Sequence, residues 1–183
     1  RYVKMTPKGK KVLPSRYKAT YTYYSYNQFD KAIPLFNGII TDYPKSQQAR
    51  FGADLILNIF ELRKDSAGAN KWARKFIAMP GLVADKKYKR DLQKVVENSA
   101  FNMIKPLEDK KAYTQSAKAY LAFVDEFPKS DKAHIAQYNA SVMYMNAKKI
   151  AGAIRVREDF IKRFPKSKHT ADVTLFLGDN YRK

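Results

Sequence analysis

One short motif, an aromatic residue followed by Pro-Lys-Ser, recurs along the chain and divides it into units of similar length. The motif stands at residues 43–46, 127–130 and 164–167. The last two motif prolines are 37 residues apart, and Pro7 and Pro80 lie 37 residues before and 36 residues after Pro44. A repeat of this length is typical of folds in which one small helical unit stacks on the next.

The residues before each proline have helical spacing. A small residue stands twelve positions before the proline, an aromatic residue eight before it in three copies of four, and an apolar residue four before it. These positions hold Ala32, Gly68, Ser116 and Ala153; Phe36, Trp72, Tyr120 and, as the exception, Arg157; and Ile40, Phe76, Val124 and Ile161. Such spacing puts one apolar stripe on a helix, and the proline ring then ends that helix.

A second stripe, 21 to 28 positions before each proline, predicts a first helix in every unit. The predicted helices are 15–27 with 29–43, 46–64 with 67–79, 86–109 with 111–127, 131–147 with 149–164, and a single helix at 168–182. The interval from Pro80 to Pro128 is about a dozen residues too long. It places an insertion near 81–96, either a loop or an extension of the next helix, and Pro106 predicts a kink in that helix.

These patterns resemble the tetratricopeptide repeat family over about 170 of the 183 residues. The family spacing from Ala to the closing Pro occurs at Ala32 with Pro44 and at Ala153 with Pro165, and the last segment contains Leu177-Gly178 followed by Tyr181. The resemblance implies an all-α fold of antiparallel helix pairs, stacked into a right-handed superhelix whose first helices line a concave groove. We therefore expect a basic N-terminal segment over residues 1–14, called the basic lead below, and a repeat array over residues 15–183.

The groove predicted from this register is aromatic and apolar. Positions 27, 23 and 20 before each proline share one helix face. The candidate partner-binding residues are Tyr17, Tyr21, Tyr24, Ala53, Leu57, Phe60, Phe101, Tyr138, Val142 and Met145. In the third repeat Phe101 is followed by Lys105 and Glu108, so the predicted groove becomes polar there. The alternative is that curvature or the basic lead buries these side chains. Tyr23 and Tyr26 fall outside the groove register and are predicted to pack inside the unit.

Composition narrows the partner class. The formal net charge is +19, which favours acidic partners such as an acidic protein segment or nucleic acid. Nucleic-acid or ribosome-associated binding is the alternative function. The groove positions lack matched polar pairs that could recognise bases, so capture of a peptide or helix from another protein is preferred.

Catalysis has little support in the sequence. There is no cysteine, and His134 and His169, the two histidines, fall at predicted helix starts without metal-ligand spacing. Ala67-Gly68-Ala69 is a helix-packing position rather than a phosphate-binding loop. We expect a non-catalytic scaffold without cofactor or metal.

The aromatic-Pro-Lys-Ser sequence of the turns resembles that of a subgroup of tetratricopeptide proteins in the bacterial cell envelope, such as those that act with the Tol-Pal and outer-membrane assembly machineries. That resemblance implies a periplasmic or outer-membrane-associated scaffold, with the cytoplasm as the alternative. The apolar runs are too short to predict a membrane span. Because the chain starts at Arg1 and its last helix has no partner helix after it, we expect a piece of a longer protein.

Overall fold

The computed structural model describes Gly9 and residues 11–181, and all regular structure in that part of the chain is helical. The helices are α1 (Val12–Ser25), α2 (Phe29–Asp42), α3 (Gln47–Leu62), α4 (Ser66–Ile77), α5 (Lys86–Asn102), α6 (Lys105–Asp109), α7 (Tyr113–Glu126), α8 (Ala133–Asn146), α9 (Ile150–Arg163) and α10 (Thr170–Tyr181). The predicted all-α class of paired helices is confirmed. Residues 1–8 and 10 of the predicted basic lead lie outside the described residues, and residues 12–14 belong to α1.

The chain forms two compact units, Arg1–Ser99 and Ala100–Lys183. In the first unit, α1 packs against α2 and α3, and α3 also packs against α2 and α4. Its fully buried large side chains are Phe36, Ile39, Ile40, Ile56, Ile59, Phe76, Leu82 and Leu92. Five of them lie on the stripes that the sequence predicts on first and second helices: Phe36, Ile40, Ile56, Ile59 and Phe76. Leu82 lies in the turn before α5 instead.

In the second unit, each helix packs against the next from α6 through α10. One cluster joins α7, α8 and α9, and a second joins α9 to α10 through Phe160, Val173 and Leu177. The last helix is therefore covered on one side by α9. Among the described residues no helix has both the length and the apolar character needed to cross a membrane.

The turns inside the helix pairs share one backbone geometry that the sequence pattern did not reveal. A single residue in each turn has a left-handed conformation, with φ between 53° and 56°: Asn27, Lys64, Lys111 and Lys148. The following amide then bonds back to the first helix, as in Lys149 N–H to the carbonyl of Tyr144 at 2.9 Å. This is the usual way to satisfy the last carbonyls of a helix, although glycine normally occupies the left-handed position.

The serine of the Pro-Lys-Ser turns stabilises the start of the next helix. The hydroxyl oxygen of Ser46 accepts a hydrogen bond from the amide of Ala49 at 3.1 Å. Ser130 and Ser167 accept from the amides two residues later. Because the first amides of a helix have no partner within it, these bonds explain why serine recurs at this position.

The small residues twelve positions before the prolines lie where helices approach closely. Ala32, Ser116 and Ala153 are fully buried. A Cβ atom at Gly68 would overlap the ring of Phe60. The predicted role of these positions in helix packing is confirmed.

The insertion is mainly helical. After a turn at residues 80–85, α5 runs from Lys86 to Asn102. It is the first helix of the third repeat, and the inserted residues lengthen its N-terminal end. The predicted kink at Pro106 is instead a break: α5 ends at Asn102, and α6 starts at Lys105 with Pro106 in its first turn. Proline cannot donate the helical hydrogen bond and its ring collides with the preceding turn, so a new helix begins there.

Candidate binding surface

Four aromatic side chains form a row on the surface of the first unit. Tyr17, Tyr21 and Tyr24 lie on α1, and Phe51 lies on α3. Ring centroids are 6.4 Å apart from Phe51 to Tyr17, 6.2 Å from Tyr17 to Tyr21 and 5.8 Å from Tyr21 to Tyr24. Tyr21 and Phe51 are each 46% exposed. We call these four residues the aromatic row.

The spacing of four and then three residues puts the three tyrosines on one face of α1. The row lies over the core, because Tyr17 and Tyr24 both contact the ring of the buried Phe36, at 5.9 and 6.5 Å. Tyr24 also donates a 2.6 Å hydrogen bond to Oδ1 of Asn58 on α3. The inner side of the row is therefore fixed by packing, and its outer side remains accessible at Tyr21 and Phe51.

Carboxylates lie beside the aromatic row. Asp54 on α3 accepts a 2.9 Å hydrogen bond from the hydroxyl of Tyr88 on α5. Burial raises the pKa of Tyr17, and the charges of Tyr21 and Asp54 raise it further. Partial desolvation also raises the pKa of Asp54, and the charge of Asp91 adds to that effect, while the hydrogen bond from Tyr88 and the charge of Arg50 act in the opposite direction. This edge of the row thus carries negative charge in a strongly basic chain.

The predicted register of the groove is wrong on α3. Ala53 and Leu57 are buried, and Phe60 packs against Trp72 at 6.4 Å. Because α1, α2 and α4 all pack against α3, a wide face of this helix is buried. The α3 residues next to the row are Phe51, Asp54 and Asn58, spaced three and four residues apart, and their mixed polarity was the signal available in the sequence.

Two further expectations on α1 are also wrong. Tyr23 and Tyr26 were predicted to pack inside the unit, but they are 37% and 73% exposed. The chain turns after Ser25, so Tyr26 follows the end of the helix and has little to pack against. The amino group of Lys31 lies 5.7 Å from the centre of the Tyr23 ring.

In the second unit, Phe101 belongs largely to the core. Its ring packs against Tyr120 at 5.6 Å and Phe123 at 5.3 Å. The polar residues that follow it are also engaged: Glu108 accepts a 2.8 Å hydrogen bond from the hydroxyl of Tyr120, and Lys105 pairs with Asp109 at 3.0 Å. The predicted polar part of the groove is thus formed by internally paired side chains.

The other predicted groove residues of the second unit are half-buried on α8. Tyr138 stacks on the ring of His169 with centroids 4.3 Å apart and an interplanar angle of 15°. Val142 and Met145 lie further along the same helix and are partly exposed. These three residues therefore remain accessible in part, but without the continuous row of rings found on α1.

The two histidines lie at helix starts, as predicted, and they are neighbours in space. Their ring centroids are 6.1 Å apart. Burial lowers the pKa of His169, and the charges of Lys168 and His134 lower it further. The repeat spacing was the available signal, since His134 and His169 occupy similar places in consecutive units. Across the described residues, no group of three or more His, Asp or Glu side chains is arranged to hold a metal.

Comparison with known proteins supports the repeat assignment in one part of the chain. The tetratricopeptide repeat family model matches residues 15–46, which cover most of α1, all of α2 and the first Pro-Lys-Ser turn. No curated protein matches the chain. The resemblance to bacterial envelope proteins gains no support from these matches and stays a prediction.

Two crystal structures of nearly identical TPR-like repeats, from a Podosopora anserina chain named as a putative kinesin light chain, are similar to this chain. The first of them is a point variant of the second. The match to the first structure covers 85% of this chain and 76% of the matched chain, with 10% sequence identity. The match to the second covers 87% of this chain and 78% of the matched chain, with 9% identity. Both have a TM-score of 0.34. The family model alone thus assigns a tetratricopeptide repeat, and it does so for residues 15–46.

Proposed function

We propose that this chain is a non-catalytic scaffold that holds a segment of a partner protein along the aromatic row. Tetratricopeptide repeats mediate protein–protein interaction in general. The observation that supports this site is the exposure of Tyr21 and Phe51 within a continuous run of rings. Rigid aromatic side chains contribute large contact area at little entropic loss, which makes them common anchors in protein interfaces.

Peptide display on the intact chain tests this proposal. Peptides selected for binding to the wild-type protein should lose roughly tenfold in affinity in Tyr21→Ala, the loss expected for an aromatic anchor. Leu62→Ala is the matched control, since Leu62 is an exposed apolar side chain on α3 outside the aromatic row. Equal affinity of the selected peptides for wild type and Tyr21→Ala would reject the row as the binding site.

We further propose that the scaffold acts in the bacterial cell envelope, in the periplasm or at the outer membrane. This proposal is supported by the sequence of the aromatic-Pro-Lys-Ser turns, which resembles the turn sequence of envelope proteins. Fractionation of cells that express the full-length gene with an epitope tag tests this. Recovery of the tagged protein in the cytoplasmic fraction would reject the envelope and favour the alternative compartment.

Nucleic-acid binding is the second candidate function, and the net charge of +19 favours it. Binding through phosphate contacts would weaken steeply with salt, because each neutralised phosphate releases counterions. The carboxylates of Asp54 and Asp91 beside the aromatic row would repel a phosphate backbone at this surface. We expect only weak association with single-stranded RNA in a salt titration. Sequence-selective binding that persists at about 0.2 M salt would favour the second candidate.

A further inference from the structure

We propose that the segment held on the aromatic row is basic and presents a Lys or Arg side chain to Asp54. This inference rests on the proposed function and specifies the chemistry of its partner. It runs against the expectation from net charge, which favours an acidic partner. The pairing of acidic side chains in the first unit supports it.

Three other acidic residues of the first unit have an arginine partner. The distances between charged atoms are 2.7 Å for Arg16 with Asp42, 2.9 Å for Arg63 with Asp30, and 3.3 Å for Arg50 with Asp85. Asp54 differs from them. Within the described residues no Lys or Arg nitrogen lies within 4.0 Å of it, although cations outnumber acids about two to one in this chain.

The surroundings of Asp54 favour a cation from outside. Asp54 is exposed as a residue, yet nearby protein atoms desolvate its carboxylate in part, which raises its pKa. The charge of Asp91 raises that pKa further, whereas Arg50, one turn earlier on α3, lowers it but forms its ion pair with Asp85 at 3.3 Å. A cation placed there would offset both effects, because partial desolvation strengthens charge attraction. The hydroxyl of Tyr88 holds the Asp54 carboxylate in place.

The aromatic row adds a second attraction for a cation. An ammonium or guanidinium group is attracted to the face of a tyrosine ring as well as to a carboxylate. Asp54 follows Phe51 by three residues on α3, so the two side chains share one helix face, and the ring of Phe51 lies 6.4 Å from that of Tyr17. A basic side chain can therefore contact Asp54 while the neighbouring residues of the same peptide cover Tyr21 and Phe51. An acidic segment would meet repulsion at the same place.

Three fluorescent heptapeptide pools test the inference. The pools are identical except that the central residue is fixed as Lys, Gln or Glu, and anisotropy measures their binding to the full chain. We expect the Lys pool to bind about fivefold more tightly than the Gln pool, the upper end for an exposed ion pair, and the Glu pool to bind weakest. This is a demanding result, because the chain as a whole repels cations.

Matched variants assign the preference to Asp54. Asp54→Asn should bring the Lys pool to the affinity of the Gln pool. Asp42→Asn, which removes an acid already paired with Arg16, should leave the Lys preference unchanged. Tyr88→Phe keeps the carboxylate but removes the hydrogen bond that holds it, so the Lys preference should persist in a weaker form. Circular dichroism checks that each variant remains folded.

The outcomes separate this inference from the proposed function. If all pools bind equally and Tyr21→Ala abolishes that binding, the scaffold function stands and the basic partner is wrong. A Lys preference that survives in Asp54→Asn also overturns the inference. If no pool binds, or if binding is unchanged in Tyr21→Ala, both proposals fail.

Discussion

The pair formed by α3 and α4 and the pair formed by α8 and α9 have the same repeat register but bury different chemistry. At 24 and 8 positions before the closing proline, the first pair has Ile56 and Trp72. The second pair has Ser141 and Arg157 at the same positions, and both are buried. The same helix-pair geometry is thus compatible with an apolar and with a polar interior.

The polar interior of the α8–α9 pair is stabilised by an aromatic ring from α10, because Arg157 stands where the other repeats have an aromatic residue. Nε of Arg157 donates a 3.0 Å hydrogen bond to Ser141 Oγ, and its guanidinium carbon lies 3.4 Å from the centre of the Phe176 ring on α10. Burial lowers the pKa of Arg157. Nη1 of Arg157 and Oε1 of Gln137 have no hydrogen-bond partner among the described atoms. The second unit thus buries polar groups that are incompletely satisfied, which is unfavourable.

Among the variants considered, Ile56→Ala, in the apolar interior of the α3–α4 pair, should cause the largest loss of stability. Ile56 is 0% exposed, so its loss removes buried apolar surface and leaves a cavity. We expect a loss of roughly 2–5 kcal/mol in the free energy of unfolding. Urea unfolding followed by circular dichroism measures it. A loss below about 1 kcal/mol would show that the core around Ile56 is loosely packed.

Ser141→Ala should destabilise the polar side, by about 1–3 kcal/mol, because Nε of Arg157 would remain buried without an acceptor. The double variant Ser141→Ala with Arg157→Met should recover most of this loss, since replacing a buried polar pair by apolar groups is often neutral or stabilising. The same urea experiment compares the three proteins. Failure of Arg157→Met to rescue would mean that the stacking on Phe176 contributes more than the hydrogen bond.

Tyr24→Phe should show that one polar contact also stabilises the first unit. The change removes the hydrogen bond to Asn58 and keeps the ring contacts, so we expect a loss of about 0.5–1.5 kcal/mol. Tyr21→Phe is the control, because Tyr21 is exposed and should unfold like the wild type. Thermal unfolding of both variants distinguishes them. Equal stabilities would contradict a stabilising role for the Tyr24 hydroxyl.

The smallest expected effect is a pH dependence of the second unit. Because the folded state lowers the pKa of His169, its stabilising contribution is complete above the ordinary pKa near 6.5. As the pH falls below that value, the unfolded chain takes up a proton first and stability decreases. We expect a small loss, because His169 is partly exposed and solvent screens its charge.

Comparison of His169→Phe with the wild type between pH 7.5 and 5.5, a range of about one unit on either side of the ordinary pKa, isolates this effect. Phenylalanine can keep the stacking on Tyr138 but does not titrate. The variant should therefore lose less stability than the wild type on acidification. Parallel pH profiles of the two proteins would exclude His169 as the source.

The sequence predicted the repeat, the helix pairs and the aromatic face of α1, since these depend on local spacing. It misplaced the α3 side of the surface, because Ala53 and Leu57 lie at the predicted register but three neighbouring helices bury them. Tyr21 and Tyr24 were equivalent in the sequence. In the structure only Tyr24 is held by a hydrogen bond across to α3. The sequence also could not show that Arg50, four residues before Asp54, forms its ion pair with Asp85 instead, because Asp85 is 35 residues away.

The sequence by itself thus determined the elements: apolar residues at helical spacing, small residues at close contacts, and Pro-Lys-Ser at the turns. Helical periodicity and backbone sterics act over a few residues, so they can be read without the fold. Tertiary structure decided which faces stay exposed, which charges are paired and how Arg157 is accommodated by Phe176. Those properties depend on how many helices surround a given side chain, and contacts between distant parts of the chain determine that number.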